Sequence, residues 1–284
     1  MSPTKSQSDW QASVVEEARA WNSIAEGWHA WIPKMREWYA PATELMLDLA
    51  GLQTGDRVLD IAAGDCDQSM AAARRVGPEG YLLAVDVAEE MLEIGARAAR
   101  EAGFENIDTQ VMDGTNLELP DSSFDAVICR FALMFFADHV SALRGVNRVL
   151  HDGGRVSVVI YAVDGDPEWL AAASVVRSQV GLPDSPAADE DLGESDALRR
   201  ALEEGGFHEI ETHPLSLPIH LSSAAEYVRY LQSTSLTLSN LVSQLPEDEQ
   251  RRVWKEVQDA LSVYEGSEGF ASIHNVIVGA GTAY

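Results

Sequence analysis

From Arg57 onward the apolar positions fall into short blocks whose spacing switches between two and three-to-four residues. The apolar blocks predict strands over 57–61, 81–85, 106–111, 124–129 and 154–161, with helices over 67–76, 88–102 and about 138–150 between them. Alternation of this kind builds a parallel, doubly wound sheet with right-handed connections. Gly55-Asp56, Gly77-Pro78-Glu79-Gly80, Leu119-Pro120-Asp121 and Asp152-Gly153-Gly154 supply the turns.

The flanks read differently. Between residues 12 and 50, Trp28, Trp31, Met35 and Trp38 follow Trp21 at offsets of 7, 10, 14 and 17, which gathers them within about 100° of one another on a helical wheel. Pro33 argues against one continuous helix, so two helices bent near Ile32 are expected. They form either a layer packed on the sheet edge or, with Tyr39, a cover over a ligand pocket. After Tyr161 come a helix over 167–180, a loop rich in Pro, Ala and Asp over 182–194 and a helix over 195–204. A strand over 207–217, two amphipathic helices (222–244 and 246–264) and a last strand near 270–279 complete the chain. The two late helices interrupt a strand pair and are expected to cap the sheet's carboxyl edge. The acidic run Asp189-Glu190-Asp191 reads as a solvated loop.

Ligands of open α/β sheets lie beyond the carboxyl ends of the strands, at the switch in strand order. Each of the first four strands ends on a suggestive residue. The first ends at Asp60 and turns through Ala62, Ala63 and Gly64, small residues that let backbone approach a ligand. Helix N–H groups at Asp67 and Gln68 then suit a carboxylate. Asp86, 26 positions after Asp60, closes the second strand and suits a ribose diol. Met112-Asp113-Gly114 offers an apolar wall for a purine and a carboxylate for its amine, and Arg130-Phe131 points into the crevice.

With these residues in view, the chain resembles the class I S-adenosylmethionine-dependent methyltransferases, and among them the small-molecule enzymes similar to the ubiquinone/menaquinone C-methyltransferases. The resemblance covers residues 20–161 and rests on Gly55 to Asp60, Ala63-Gly64, Asp67-Gln68, Asp86, Glu90-Met91-Leu92, Met112-Asp113, Leu119-Pro120, Ser123-Phe124-Asp125, Arg130-Phe131, and Arg148-Val149-Leu150 with Gly153-Gly154. It implies a Rossmann-like, mostly parallel seven-stranded sheet with N-terminal helices. The implied cofactor is S-adenosyl-L-methionine, with Asp60 and the 62–66 turn at its methionyl end and Asp86 on the ribose. Val87 and Met91 would flank the adenine, Asp113 and Gly114 would meet its amine, and Arg130 and Phe131 would lie at the sulfonium.

One position departs from the family pattern. Where G-x-G-x-G is common after the strand-end acid, this chain has Ala62, Gly64 and Cys66. If the third position requires positive φ, a side chain there costs roughly 1–3 kcal/mol. Three readings stay open: a tolerated substitution, a specialised site whose thiol touches cofactor or substrate, or a lost activity.

Composition narrows the partners. Of the 284 residues, 46% are hydrophobic and 23% charged, an ordinary globular balance. Net charge is −26, and the 20 cations include only three lysines, Lys5, Lys34 and Lys255. Such a surface repels phosphate backbones and anionic membranes, so neither nucleic acid nor stable membrane association is expected. Two readings of the acidity compete, adaptation to high salt, which the lysine shortage supports, and plain solubility, which is the favoured one. The segment Met1–Gln11 lacks a secretory pattern and no apolar run approaches the roughly 20 residues of a membrane span, so a cytoplasmic protein is expected. Cys66 and Cys129 read as free thiols.

The expected reaction is an in-line displacement that moves a methyl group to carbon, oxygen or nitrogen of a small acceptor. Alignment in a dry site is worth roughly 7–11 kcal/mol. A base is required only for a protonated acceptor, and His29, Tyr39 and His139 are candidates without one being preferred. His208, His213, His220 and His274 lack metal-ligand spacing, so no metal is expected. The rivals are a protein that binds this cofactor without methylating, as an isomerase, cyclase or regulatory subunit, and a nicotinamide-dependent oxidoreductase. Against the last, the turn lacks G-x-G-x-x-G. The expected organisation is a helical layer over 1–50, a cofactor domain over 51–221 and 269–284, and a cap over 222–268.

Overall fold

In the computed structural model, residues 7–163, 165–183 and 192–284 are described; the acidic run at 189–191 lies outside them. A long helix α1 (Gln7–Leu49) precedes the alternating core: β1 (Arg57–Ile61), α2 (Asp67–Val76), β2 (Tyr81–Asp86), α3 (Glu89–Glu101), β3 (Ile107–Val111), β4 (Phe124–Arg130), α4 (His139–Val149) and β5 (Leu150–Tyr161). Then follow α5 (Pro167–Gln179), α6 (Ser195–Glu204), β6 (His208–Leu221), α7 (Ala224–Thr234), α8 (Leu236–Ser243), α9 (Glu247–Leu261), β7 (Glu265–Gly266) and β8 (Gly269–Thr282).

The strands form one sheet in the order β3-β2-β1-β4-β5-β8-β6, with the two-residue β7 paired to β8. β8 runs antiparallel to both its neighbours, and β1 to β5 are mutually parallel. The expected mostly parallel α/β sheet is therefore present, with β7 as a small addition. The order reverses between β1 and β4, which opens a crevice at their carboxyl ends.

Strand alternation sends side chains to two cores. Val58, Leu82, Ala84, Ala126 and Ile128 face α1, α2 and the late helices, while Leu59, Leu83, Val85, Val127 and Cys129 face α4 and α6. Near-continuous burial along β2 and β4 is what a sheet covered on both faces requires.

Two expectations are corrected. The N-terminal segment is one helix of 43 residues that contains Pro33 and Pro41, rather than two helices bent near Ile32. An interior proline costs about 3 kcal/mol. Here Ile32, Met35, Trp38, Tyr39, Ala42, Met46 and Leu47 are all buried on one continuous stripe, and burying side chains of that size stabilises by about 1.5–3 kcal/mol each. The stripe keeps its phase through both prolines, so tertiary burial outweighs the local break. The late segment has three helices rather than two: Ser235 adopts extended angles (φ −92, ψ 95) and its hydroxyl accepts from the Leu238 N–H, ending α7 and starting α8. The chain leaves β6 and re-enters β8 at the carboxyl edge of the parallel strands, so α7 to α9 lie at that edge, against α1 and α5.

Candidate active site

The turn after β1 repeats one conformation three times. Ala62, Gly64 and Cys66 have φ of 53°, 55° and 61°, so each position where the family pattern carries glycine is left-handed, and two of them bear a side chain. Two backbone bonds hold the turn to β2: Ala63 N–H donates to the Val85 carbonyl at 3.0 Å, and Gly64 N–H donates to Asp86 Oδ2 at 2.8 Å. Cys66 is the N-cap of α2, and no side chain caps that helix end. Its thiol is buried against Gly95 of α3, where a Cβ would meet Cys66 Sγ at 2.6 Å. Burial, with Asp60 nearby, pushes the thiol pKa strongly up, so the sulfur stays protonated.

Asp60 is fully buried and accepts from Ser69 Oγ at 2.5 Å and Gln68 Nε2 at 3.2 Å. Burial pushes its pKa up to about 7, against the pull of those two donors and of Arg130. Gln68 was expected to contribute its backbone N–H; its side chain also orients Asp60 and reaches the Ala63 carbonyl at 3.4 Å. At the end of β2, Asp86 accepts from Gly64 N–H with one oxygen and from Ala88 N–H at 2.8 Å with the other. Its pKa is nonetheless raised, because burial outweighs the backbone donors.

The residues expected near an adenine base collect around Asp86 and Gly64. Met91 is buried, its sulfur 3.8 Å from where a Gly64 Cβ would lie, and Val87 is half-buried between Asp86 and Ala88. Met112 is buried and its N–H donates to the Asp86 carbonyl at 2.9 Å. Asp113 Oδ1 takes both the N–H and the hydroxyl of Thr115. Gly114 has no room for a side chain, since a Cβ would come within 2.5 Å of Ile61 Cγ2. Over this group lies the first half of α1. Trp21 meets Phe135 and Trp28 edge-on at 6.1 and 5.9 Å, Asn22 Oδ1 accepts from Glu90 N–H, and Glu17 faces Asp113 and Asp86. Burial first, then Asp113, raises the Glu17 pKa. Glu17 and Asn22 were missed at the sequence level, because no local pattern ties α1 to the ends of β2 and β3.

At the end of β4, Arg130 is almost fully buried and pairs with Asp67 Oδ2 at 3.1 Å while donating to Thr43 Oγ1 at 2.8 Å; Arg36 holds the other Asp67 oxygen at 2.7 Å. Arg130 is therefore anchored to the start of α2. Phe131 takes a left-handed φ of 58° and stacks on Tyr161 at 4.6 Å.

Beside that stack lies a polar chain that the linear pattern concealed. Tyr39 Oη is 2.7 Å from Tyr161 Oη and 2.8 Å from His274 Nδ1, and His274 Nε2 is 2.9 Å from Glu168 Oε1. Asp166 Oδ1 lies 3.5 Å from His274 Nε2 and accepts from Tyr227 and the Trp169 N–H; Ser272 donates to Glu168. Side-chain polar atoms of Asp166, Glu168 and His274 fall within 4.8 Å of one another, a grouping that tertiary folding brings about and that histidine spacing along the chain does not show. Of the three candidate bases, only Tyr39 joins this chain. His29 pairs with Asp65 at 2.8 Å and is largely exposed, and His139 merely opens α4.

Known proteins share this fold. Residues 34–165 match the model of the ubiE/COQ5 methyltransferase family. Demethylmenaquinone methyltransferase of Listeria welshimeri is 33% identical over 123 residues, 43% of this chain and 52% of that protein; the match spans about half the length of such relatives. The crystal structure of YcgJ from Bacillus subtilis superposes with a TM-score of 0.58 at 22% identity, over 86% of this chain and 98% of that one. Phosphoethanolamine N-methyltransferase 2 of Haemonchus contortus, solved with S-adenosylhomocysteine, gives 0.52 at 18% identity over 86% of this chain and 52% of its own. These structural likenesses establish the fold.

Proposed function

We propose that the chain is an S-adenosylmethionine-dependent methyltransferase acting on a small aromatic acceptor of quinone type. One observation carries this reading: the left-handed residues 62, 64 and 66, at the sheet's switch point, form a turn held to the second strand by Asp86. The turn lets the cofactor's backbone-contacting atoms approach closely, and the uncapped start of α2 suits the cofactor carboxylate. Asp60 offers a carboxylate to the ammonium, and Asp86 keeps lone pairs for the ribose hydroxyls beyond its two backbone bonds. Met91, Met112 and Val87 flank the adenine, Asp113 and Gly114 meet its amine, and Phe131 beside Tyr161 marks the sulfonium end. Bound there, the cofactor supplies an electrophilic methyl group.

The chain's own part is alignment and exclusion of water, for which α1 and the segment over 222–268 serve as cover. We divide the molecule accordingly into a helical layer over 1–50, a cofactor domain over 51–221 and 269–284, and a cap. No described helix is long and apolar enough to cross a membrane, and we place the reaction in the cytoplasm, on a small molecule rather than a nucleic acid. Calorimetry should show saturable cofactor binding, and incubation with an acceptor should release S-adenosylhomocysteine. Asp86→Ala should weaken the cofactor at least 100-fold, since each bond to a charged acceptor is worth roughly 1.5–3 kcal/mol. Unchanged affinity in that variant would overturn the pose.

A further inference from the structure

We propose that Tyr161, Tyr39 and His274 form a proton relay that takes a proton from a hydroxyl-bearing acceptor as the methyl group is transferred, with Glu168 as the residue that positions His274. The inference rests on the methyltransferase reading and concerns how that site handles a protonated acceptor. Its basis is a continuous run of contacts from the crevice to the interior: Tyr161 to Tyr39 at 2.7 Å, Tyr39 to His274 Nδ1 at 2.8 Å, and His274 Nε2 to Glu168 at 2.9 Å. Four elements contribute to it: β5, α1, β8 and α5. Tyr161 is the last residue of β5, at the carboxyl edge where ligands of such sheets lie, and it remains partly exposed while Tyr39 and His274 are buried.

The relay uses one assignment of the protons along these bonds. Glu168 is fully buried and its other oxygen is taken by Ser272, so it fixes the proton of neutral His274 on Nε2. The Nδ1 lone pair then accepts from the Tyr39 hydroxyl, which in turn accepts from Tyr161, leaving a Tyr161 lone pair for the crevice. This is the carboxylate–imidazole–hydroxyl arrangement that orients a general base, extended by one hydroxyl. When an acceptor hydroxyl gives its proton to Tyr161 Oη, the Tyr161 proton moves to Tyr39 and the Tyr39 proton to His274 Nδ1. The acceptor oxygen, or a ring carbon conjugated to it, forms the new bond to the methyl carbon. The sulfur–methyl bond breaks and the sulfur leaves neutral. After the product leaves, the Nδ1 proton runs back through Tyr39 and Tyr161 to solvent in the opened crevice, which restores neutral His274 with its proton on Nε2 and both hydroxyls as they began; Asp166, 3.5 Å from Nε2, holds the imidazolium meanwhile.

The electrostatics suit these roles. Burial raises both Tyr39 and Tyr161, so neither tyrosine holds the charge and both pass protons on. At His274 burial lowers the pKa, but Asp166 and Glu168 outweigh it and leave the imidazole a stronger base than usual. Tyr227 and Tyr230 of α7 and Tyr264 after α9 face the same carboxylates, and all three are raised by burial and stay neutral.

The test uses the full chain saturated with S-adenosylhomocysteine and p-nitrophenol as a probe whose ionisation is visible. Wild type should bind the probe as phenolate at pH values at least one unit below its value in solution. Tyr39→Phe, which keeps the ring, and His274→Gln should bind it with that shift lost, and melting curves verify that both variants are folded. The relay is overturned if the probe binds without a shift, if wild type and Tyr39→Phe shift it equally, or if it does not bind. Calorimetry with S-adenosylhomocysteine alone separates the two claims: no binding removes the methyltransferase reading and the relay with it. Normal binding with no probe shift removes the relay only.

Discussion

Cys66 holds the third left-handed position of the β1 turn, where a side chain costs roughly 1–3 kcal/mol in backbone strain. The thiol is buried against Gly95, protonated and without a capping bond, which favours a tolerated substitution over a specialised one. Cys66→Gly should therefore leave cofactor affinity within tenfold of wild type or improve it; a larger loss in calorimetry would assign the sulfur a contact with cofactor. Asp60 gives a second prediction. Its native pKa of about 7 lies above the ordinary carboxylate value of 3.8, so the native state holds this proton more tightly than the unfolded chain does. Its contribution is fully present below about pH 3.8 and lost as pH rises through about 7, an effect of at most roughly 4 kcal/mol for so buried a group. Thermal melts of the unliganded protein should fall between pH 5 and pH 8, and Asp60→Asn should flatten the decline. An identical slope in the variant would place the burden elsewhere.

Among the elements, α3 is tied to the turn by the absence of a side chain. A Cβ on Gly95 would meet Asp65 backbone at 2.6 and 2.7 Å, contacts that backbone cannot yield cheaply. Gly95→Ala should lower stability by about 1–3 kcal/mol and weaken the cofactor through a displaced turn; a fully native melt with wild-type affinity would contradict this packing. Helix α1 shows the opposite balance between local and distant forces. Pro33 and Pro41 predict interruption, and the buried stripe from Ile32 to Leu47 keeps the helix whole. By contrast, α2 and α6 match their sequence-based bounds at both ends, and β1 does as well, since periodicity and turn residues there agree with the packing. The apolar spacing of α7 and α8 continues across Ser235, so periodicity alone does not mark the break there.

For the whole molecule, a net charge of −26 makes compaction work against its own repulsion. Salt shortens the Debye length from about 10 Å at 0.1 M to about 3 Å at 1 M, so melting temperature should rise between those concentrations of sodium chloride. A flat or falling response would show that pairs such as Arg75 with Glu44 and Asp48, or Arg155 with Glu211, dominate over the diffuse field.

The strand-end residues Asp60, Asp86, Asp113 and Arg130 are legible in the chain because each lies within two positions of the end of a locally recognisable strand, and a doubly wound sheet places all such ends on one edge. Short-range order therefore determined the fold class and the left-handed turn after β1. What only tertiary structure decided is how distant segments meet: α1 passing unbroken over the ends of β2 and β3, Arg130 committed to Asp67, and Tyr39 bonded to His274 across 235 residues. Such contacts follow from how side chains fill the space between layers, and no local spacing encodes them.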